Sequence, residues 1–328
     1  MPRVSVIIPV YNRAQVVAEA IASVLGQTFQ DFELLVVDDG STDGIWEKLQ
    51  SYGLKIRALR QDHRGAAAAR NFGIKNAAAE YLAFLDSDDL WRPEKLARQV
   101  EYLDRRPEVA LVHCNGWVVK GRQLPADLNS LPTFYATRPA PDGEAAATRL
   151  MSVPISTPSI LVRREVAEKI GGFAEDLHLH EDADFLLRLL EAGEKIGYVP
   201  EPLCIVRIPA DTQPGPSLEY ILKSIEVQKR SLQRSTVMRP YLLPALGRSH
   251  LLAARALYQN HDRTGFFCHC LAAWRLRPQS LRLPLAFLAI VLPRPWGLTY
   301  LNRLGPMGST LNAVHLRKDS HAKAPRRL

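Results

Sequence analysis

A chain of 328 residues with 47% hydrophobic side chains can fill a large α/β core, which excludes intrinsic disorder as its resting state. The net charge of +8 is unevenly spread: residues 217–328 carry 18 Lys and Arg against 4 Asp and Glu, net +14, leaving 24 against 30, net −6, for residues 1–216. A basic segment behind a mildly acidic domain predicts a polyanionic neighbour such as a membrane face or a lipid diphosphate.

Met1-Pro2-Arg3 leads straight into Val4–Val10, with no n-region and h-region of a secretory signal, so the sequence predicts a cytoplasmic chain. Val4–Val10 is a short, nearly all-apolar, β-branched run, the pattern of a strand buried on both faces of a parallel sheet. Asn12 is placed to cap a helix in which Val16, Val17, Ala20, Ile21, Val24 and Leu25 recur at helical spacing before Gly26. A second buried strand, Leu34–Val37, ends in Asp38-Asp39-Gly40-Ser41-Thr42-Asp43. A helix near 44–51, a strand near 56–59 and an alanine-rich helix over 65–79 precede a strand at Tyr81–Leu85, which again ends in acids, Asp86-Ser87-Asp88-Asp89. Pro93 opens a helix to about Arg106, and strands follow at 109–113 and 117–120. Proline and polar residues from Gln123 to Pro141 predict a loop covering the site. Helices over 143–151 and 165–170, a strand at 159–162, a helix from Asp182 to Glu191 and short strands at 195–199 and 203–207 complete the domain.

Alternation of this kind predicts an α/β fold with a doubly wound, mostly parallel sheet flanked by helices, whose ligands lie beyond the carboxyl ends of the strands. The expected division is a catalytic domain over 1–207, a proline-rich linker at 208–217, and a basic helical region over 218–328. Leu251–Gln259 and Phe266–Leu276 read as an antiparallel helix pair. The apolar run Leu285–Leu292, flanked by Arg282, Arg294 and Arg303 with Trp296 and Tyr300, is too short to cross a bilayer but suits an interfacial contact with an anionic surface. The cysteines Cys114, Cys204, Cys268 and Cys270 lack both a disulfide framework and zinc spacing.

The chemistry concentrates in the acids. A nucleoside diphosphate leaves well only when its developing charge is neutralised, and a divalent cation on carboxylates does this. Asp86 and Asp88, two apart at a strand end, supply ligands for Mn²⁺ or Mg²⁺ or a contact to ribose. Asp39 offers a carboxylate to a base or ribose, and Tyr11 a ring face. His63 and His113 have no evident partner, and Asp89 is placed to cap the next segment.

The runs Val6-Ile7-Ile8-Pro9-Val10-Tyr11-Asn12, Val36-Val37-Asp38-Asp39-Gly40-Ser41, Arg64-Gly65 to Arg70-Asn71, Leu85-Asp86-Ser87-Asp88-Asp89 and Glu181-Asp182-Ala183-Asp184-Phe185 together resemble the family 2 glycosyltransferases of GT-A fold over residues 4–207. The resemblance implies an inverting transfer from a nucleotide sugar, usually UDP-linked, with a divalent metal. By that resemblance Pro9, Tyr11 and Asp39 form the base and ribose pocket, and Arg70 reaches the base or phosphates. Asp88 is the metal ligand, Asp86 its companion to metal or ribose, and Asp182 the catalytic base, with Glu181 as second candidate. Inversion independently requires a carboxylate across the anomeric carbon from the departing phosphate. Asp184 braces the loop or orients an acceptor, Arg188 ties the acids together, and His178 and His180 line the acceptor side. The acceptor expected from the resemblance is a glycan or a lipid-linked glycoconjugate at the cytoplasmic membrane face. A nucleic-acid or partner-binding module is the rival reading of the basic tail, but no nucleic-acid motif or stacking platform accompanies the charge. No GxGxxG follows Val10, against a dehydrogenase.

Overall fold

The structure, a computed structural model, describes residues 1–276 apart from 137–139, 144–145, 151–152 and 213–214. Its first half alternates without exception: β1 (Val4–Val10), α1 (Val17–Leu25), β2 (Phe32–Asp39), α2 (Ile45–Gln50), β3 (Arg57–Gln61), α3 (Ala66–Asn76) and β4 (Tyr81–Phe84). Then come β5 (Leu90–Trp91), α4 (Lys95–Asp104), β6 (Val109–Lys120), α5 (Ala146–Leu150), β7 (Ile160–Arg163), α6 (Arg164–Lys169), α7 (Glu181–Glu191) and β8 (Lys195–Ile208). Three helices follow, α8 (Leu218–Arg234), α9 (Arg239–Gln259) and α10 (Arg263–Leu276). The apolar run Leu285–Leu292 and its basic flanks lie outside the described residues, among which no helix is long and apolar enough to cross a membrane.

The strands form one sheet in the order β3-β2-β1-β4-β7-β6-β8-β5. β1 pairs parallel with β2 and β4, β2 with β3, and β6 with β8, whereas β7 runs antiparallel to β4 and β6, and β5 antiparallel to β8. This is the mostly parallel, helix-flanked sheet that the sequence predicts. All seven residues of β1 are buried, which explains why its apolar run does not alternate. Because the chain builds β2 and β3 on one side of β1 and then crosses to β4 on the other, a switch point falls between β1 and β4.

β6 and β8 are each continuous where the sequence suggests two short strands. Asn115-Gly116 and Pro200-Glu201-Pro202 read as breaks, but the pairing only shifts register there and resumes. Gly116 makes this possible, since a Cβ on it would lie 2.5 Å from the Cys204 carbonyl oxygen. A second departure concerns the loop expected to cover the site. Its described residues fold onto β6 instead: Leu124, Leu128 and Leu131 pack against Trp117 and Val119, and none of them lines the cavity described below.

His113, which has no evident partner in the sequence, anchors the same loop. It is fully buried in β6, and its Nε2 donates to the Pro141 carbonyl at 2.6 Å while the Tyr135 hydroxyl lies 3.2 Å from Nδ1. Burial pushes its imidazole down to about 4. Between pH 6.5 and 4 the unfolded chain therefore takes up a proton that the folded chain refuses, and stability falls as pH falls through that window. The loss from this residue alone is expected to be about 3 kcal/mol. Urea titrations at pH 7 and pH 4.5 check it: His113→Gln is expected to lose less stability between the two than the native chain, and equal losses contradict the assignment.

Candidate functional site

The carboxyl ends of β1, β2 and β4 open into a cavity of about 650 Å³. Asp39, at the end of β2, is 2% exposed and accepts four hydrogen bonds. Oδ1 takes the Gln61 amide at 2.7 Å and the Arg64 backbone N–H at 3.0 Å; Oδ2 takes the Gly65 N–H and His63 Nδ1, both at 2.8 Å. One carboxylate thus shapes the whole 61–65 turn into α3. His63 in turn stacks on Tyr11, with ring centroids 3.9 Å apart, so one face of the Tyr11 ring is already covered. Nothing in the spacing of His63 announces this, because its partners sit 24 and 52 positions earlier in the chain.

Asn12 does not cap α1. It adopts φ 50° and binds across to the turn after β2, its Oδ1 accepting from Thr42 N at 2.9 Å and its N–H donating to Ser41 Oγ at 2.9 Å. The helix starts later, after Val16, without a side-chain cap. The loops after β1 and β2 are therefore locked to each other beside the cavity.

Asp86 and Asp88 follow β4, half-buried, and both line the cavity with Pro9, Tyr11 and Asp39. Asp89 lines the cavity too, but it is 1% exposed and accepts from the backbone of Arg207 in β8 at 2.8 Å, instead of capping the next segment.

Arg70, on α3 and expected at the base or phosphates, lines the same cavity and binds two acids there. Buried at 2% exposure, it donates from Nη2 to Asp86 Oδ1 at 2.6 Å and from Nη1 to Glu181 Oε1 at 3.0 Å, with its guanidinium carbon 5.3 Å from the Phe173 ring centroid. These charge-assisted bonds join the acid cluster after β4 to the one at the start of α7. Glu181 is consequently 4% exposed and ion-paired. Asp182, half-buried, lines the cavity and accepts from the Ala183 N–H at 2.8 Å.

Asp184 is a brace. Arg188 Nε holds its Oδ2 at 2.7 Å and Arg234 Nη1 its Oδ1 at 2.9 Å, while Arg188 also donates to the Ile170 carbonyl. Arg188 therefore fastens one acid of the cluster and not the set. The residue preceding α7 is His180, left-handed at φ 64°, whose Nε2 donates to the Tyr220 carbonyl of α8 at 2.8 Å. His178 and His180 both line the cavity, as do Glu219, Tyr220, Ser224 and Gln228 of α8.

With this geometry in view, comparison with known proteins is specific. The description Glycosyl transferase family 2 matches residues 5–171. The chain belongs to this family. It is 30% identical over 203 residues, 61% of its length, to an uncharacterized glycosyltransferase of Haemophilus influenzae. It spans 66% of that relative's length and 17% of two longer Rickettsia relatives. In fold it is similar to Staphylococcus aureus TarS 1-349 in complex with UDP-GlcNAc, with TM-score 0.65 and 19% identity over 92% of this chain and 90% of that one. It is likewise similar to the mannosyltransferase PcManGT from Pyrobaculum calidifontis in complex with GDP-Man and Mn²⁺, with TM-score 0.58 and 22% identity over 92% and 86%. The family match ends before Glu181-Asp182 and before α8, so those walls of the cavity rest on the geometry above.

Proposed function

We propose that the protein is an inverting glycosyltransferase that moves a sugar from a nucleoside diphosphate donor, UDP-linked by preference, to a hydroxyl of a glycan or lipid-linked acceptor. The observation that carries this reading is the Arg70 bridge, which holds the Asp86 end of one acid cluster and the Glu181 end of the other in one cavity. A displacement with inversion needs those two functions together, one side for the leaving group and one for the nucleophile. Pro9, Tyr11 and Asp39 wall the base and ribose region, and Arg13 and the exposed Arg64, paired with Glu175, line the same cavity where a diphosphate can engage them, whereas Arg207 also lines it but is buried and ion-paired with Glu19.

A divalent cation fits the residues present. Among the described residues no cluster of three or more His, Cys, Asp or Glu forms a closed metal cage. Mn²⁺ and Mg²⁺ on nucleotides need less: one or two carboxylates, with phosphate oxygens and water filling the remaining positions. Asp88 is the carboxylate to supply the bond, with Asp86 shared between Arg70 and the cation or ribose, whereas Asp89 is committed to Arg207. When bound, the cation neutralises charge developing on the departing diphosphate. On the other side the acceptor oxygen bonds to the anomeric carbon, the bond from that carbon to phosphate breaks with its electron pair leaving on the diphosphate, and the hydroxyl proton passes to Asp182. Glu181 is unsuited to that last task, because its charge is already spent on Arg70.

UDP with Mn²⁺ at about 100 times its dissociation constant stabilises a protein by about 2.7 kcal/mol, several degrees in melting temperature. That rise is expected for the native chain, and Asp88→Asn is expected to lose the Mn²⁺-dependent part of it. A native chain whose melting temperature ignores UDP, GDP and their sugar conjugates contradicts the enzymatic reading and favours a binding role for the basic region.

A further inference from the structure

α8 lies beyond the family match, yet it forms a wall of the catalytic cavity. Tyr220, Ser224, Val227 and Gln228 stand at i, i+4, i+7 and i+8, which places them on one face of the helix. The helix is fastened to the segment that carries Asp182. Arg230 pairs with Asp176 at 2.6 Å, Arg234 with Asp184 at 2.9 Å and with Glu191 at 2.8 Å, and the Tyr220 carbonyl accepts from His180. This wall therefore keeps a fixed distance from the proposed base.

Its chemistry differs from the rest of the cavity. The lining arginines Arg13, Arg64, Arg70 and Arg207 belong to other elements, whereas α8 contributes no Lys or Arg to the lining and one carboxylate, Glu219, which repels an anion. Lys223 of the same helix is paired with Glu226 at 2.9 Å. An anionic ligand finds no counter-charge there; a neutral one finds a phenol ring, a hydroxyl and an amide. Gln228 adds an independent sign of a missing ligand. It is 5% exposed, its Nε2 donates to the hydroxyls of Ser224 at 3.0 Å and Ser249 at 2.9 Å, and its Oε1 has no partner. Turning the amide over only leaves the nitrogen unmatched in the same place. Native structures rarely leave such an atom unsatisfied. Oε1 itself is sealed from the cavity, so a ligand hydroxyl meets it once the Gln228 side chain turns toward the lining to which it already belongs.

We propose that the α8 face, with His178, is the acceptor subsite, and that it takes an uncharged, hydroxyl-rich saccharide whose reacting oxygen is presented to Asp182. The proposal rests on the transferase reading above, since it assumes that Asp182 meets the acceptor. It adds a substrate class: any phosphate carried by the acceptor lies away from this wall.

The test uses the full chain and separates the two readings. Binding of neutral tetrasaccharides (cellotetraose, chitotetraose, mannotetraose) and of anionic probes (glycerol phosphate, a galacturonate tetramer) is measured by calorimetry, with and without UDP and Mn²⁺. At least one neutral tetrasaccharide is expected to bind at least tenfold more tightly than either anion. Tyr220→Ala and Gln228→Leu are each expected to weaken that binding about tenfold while the UDP-dependent melting shift stays as in the native chain. That shift also shows that each variant is folded. Preference for an anionic probe, no neutral saccharide bound, or unchanged saccharide affinity in both variants overturns the proposal. Saccharide binding that follows this pattern in a chain indifferent to every nucleotide supports the subsite and sinks the donor reading instead.

Discussion

Asp182→Asn is expected to lower the transfer rate about a thousandfold and to leave UDP binding within about twofold of the native chain. Asn keeps the shape of the side chain and an oxygen that can accept the Ala183 N–H, the bond that Asp182 makes at 2.8 Å. What it loses is the ability to hold the acceptor proton as the new bond forms. The change therefore acts on the transition state and spares the ground state, so turnover falls with little effect on donor affinity. Glu181→Gln is the informative control. Glu181 is buried against Arg70, so that variant is expected to lose stability first and rate only as a consequence. Single-turnover rates with calorimetric UDP affinities on both variants decide the matter. Full transfer activity in Asp182→Asn would remove it from the role of base.

Much of the fold was legible because its core strands are extreme in pattern. Val4–Val10 and Leu34–Val37 are apolar without alternation, and the acids that follow β2 and β4 stand where a doubly wound sheet places its ligands. Residues whose work depends on long-range partners were harder to read. His63 joins Asp39 and Tyr11, and His113 joins Pro141 and Tyr135, pairings created by the fold and invisible in local spacing. Asn12 and Asp89 have the composition of helix caps, yet each found a better partner across the sheet than in the next helix. The same competition decided β6 and β8, where backbone pairing on a buried neighbour outweighed the local preference of Gly and Pro for a break. The acids were legible as a set, but the arginine that joins them was not. An Arg on an alanine-rich helix offers no hint of whether it will face phosphate or carboxylate.

Arg70→Met is expected to destabilise the fold by about 3–5 kcal/mol, because it removes the bridging partner of the buried Glu181 and the half-buried Asp86. The size follows from burial: the Arg70 side chain is 3% exposed and Glu181's 6%. With the guanidinium gone, the Glu181 carboxylate has lost a charged partner in a place water barely reaches, and Asp86 has lost a bond of 2.6 Å. Arg70→Lys is expected to recover only part of the loss, since a single ammonium cannot span two carboxylates as the planar fork does. Arg70→Met combined with Glu181→Gln is expected to be more stable than Arg70→Met alone, the sign of a shared charge and not merely of lost packing around Phe173. Urea denaturation of the four proteins at pH 7 measures each difference. A loss below about 1 kcal/mol for Arg70→Met would place the pair among weak surface bridges and remove the reason for holding the two acid clusters together. Stability and the proposed chemistry are coupled at this residue: the link that stabilises the fold also sets where Asp182, the proposed base, stands relative to Asp86 and Asp88.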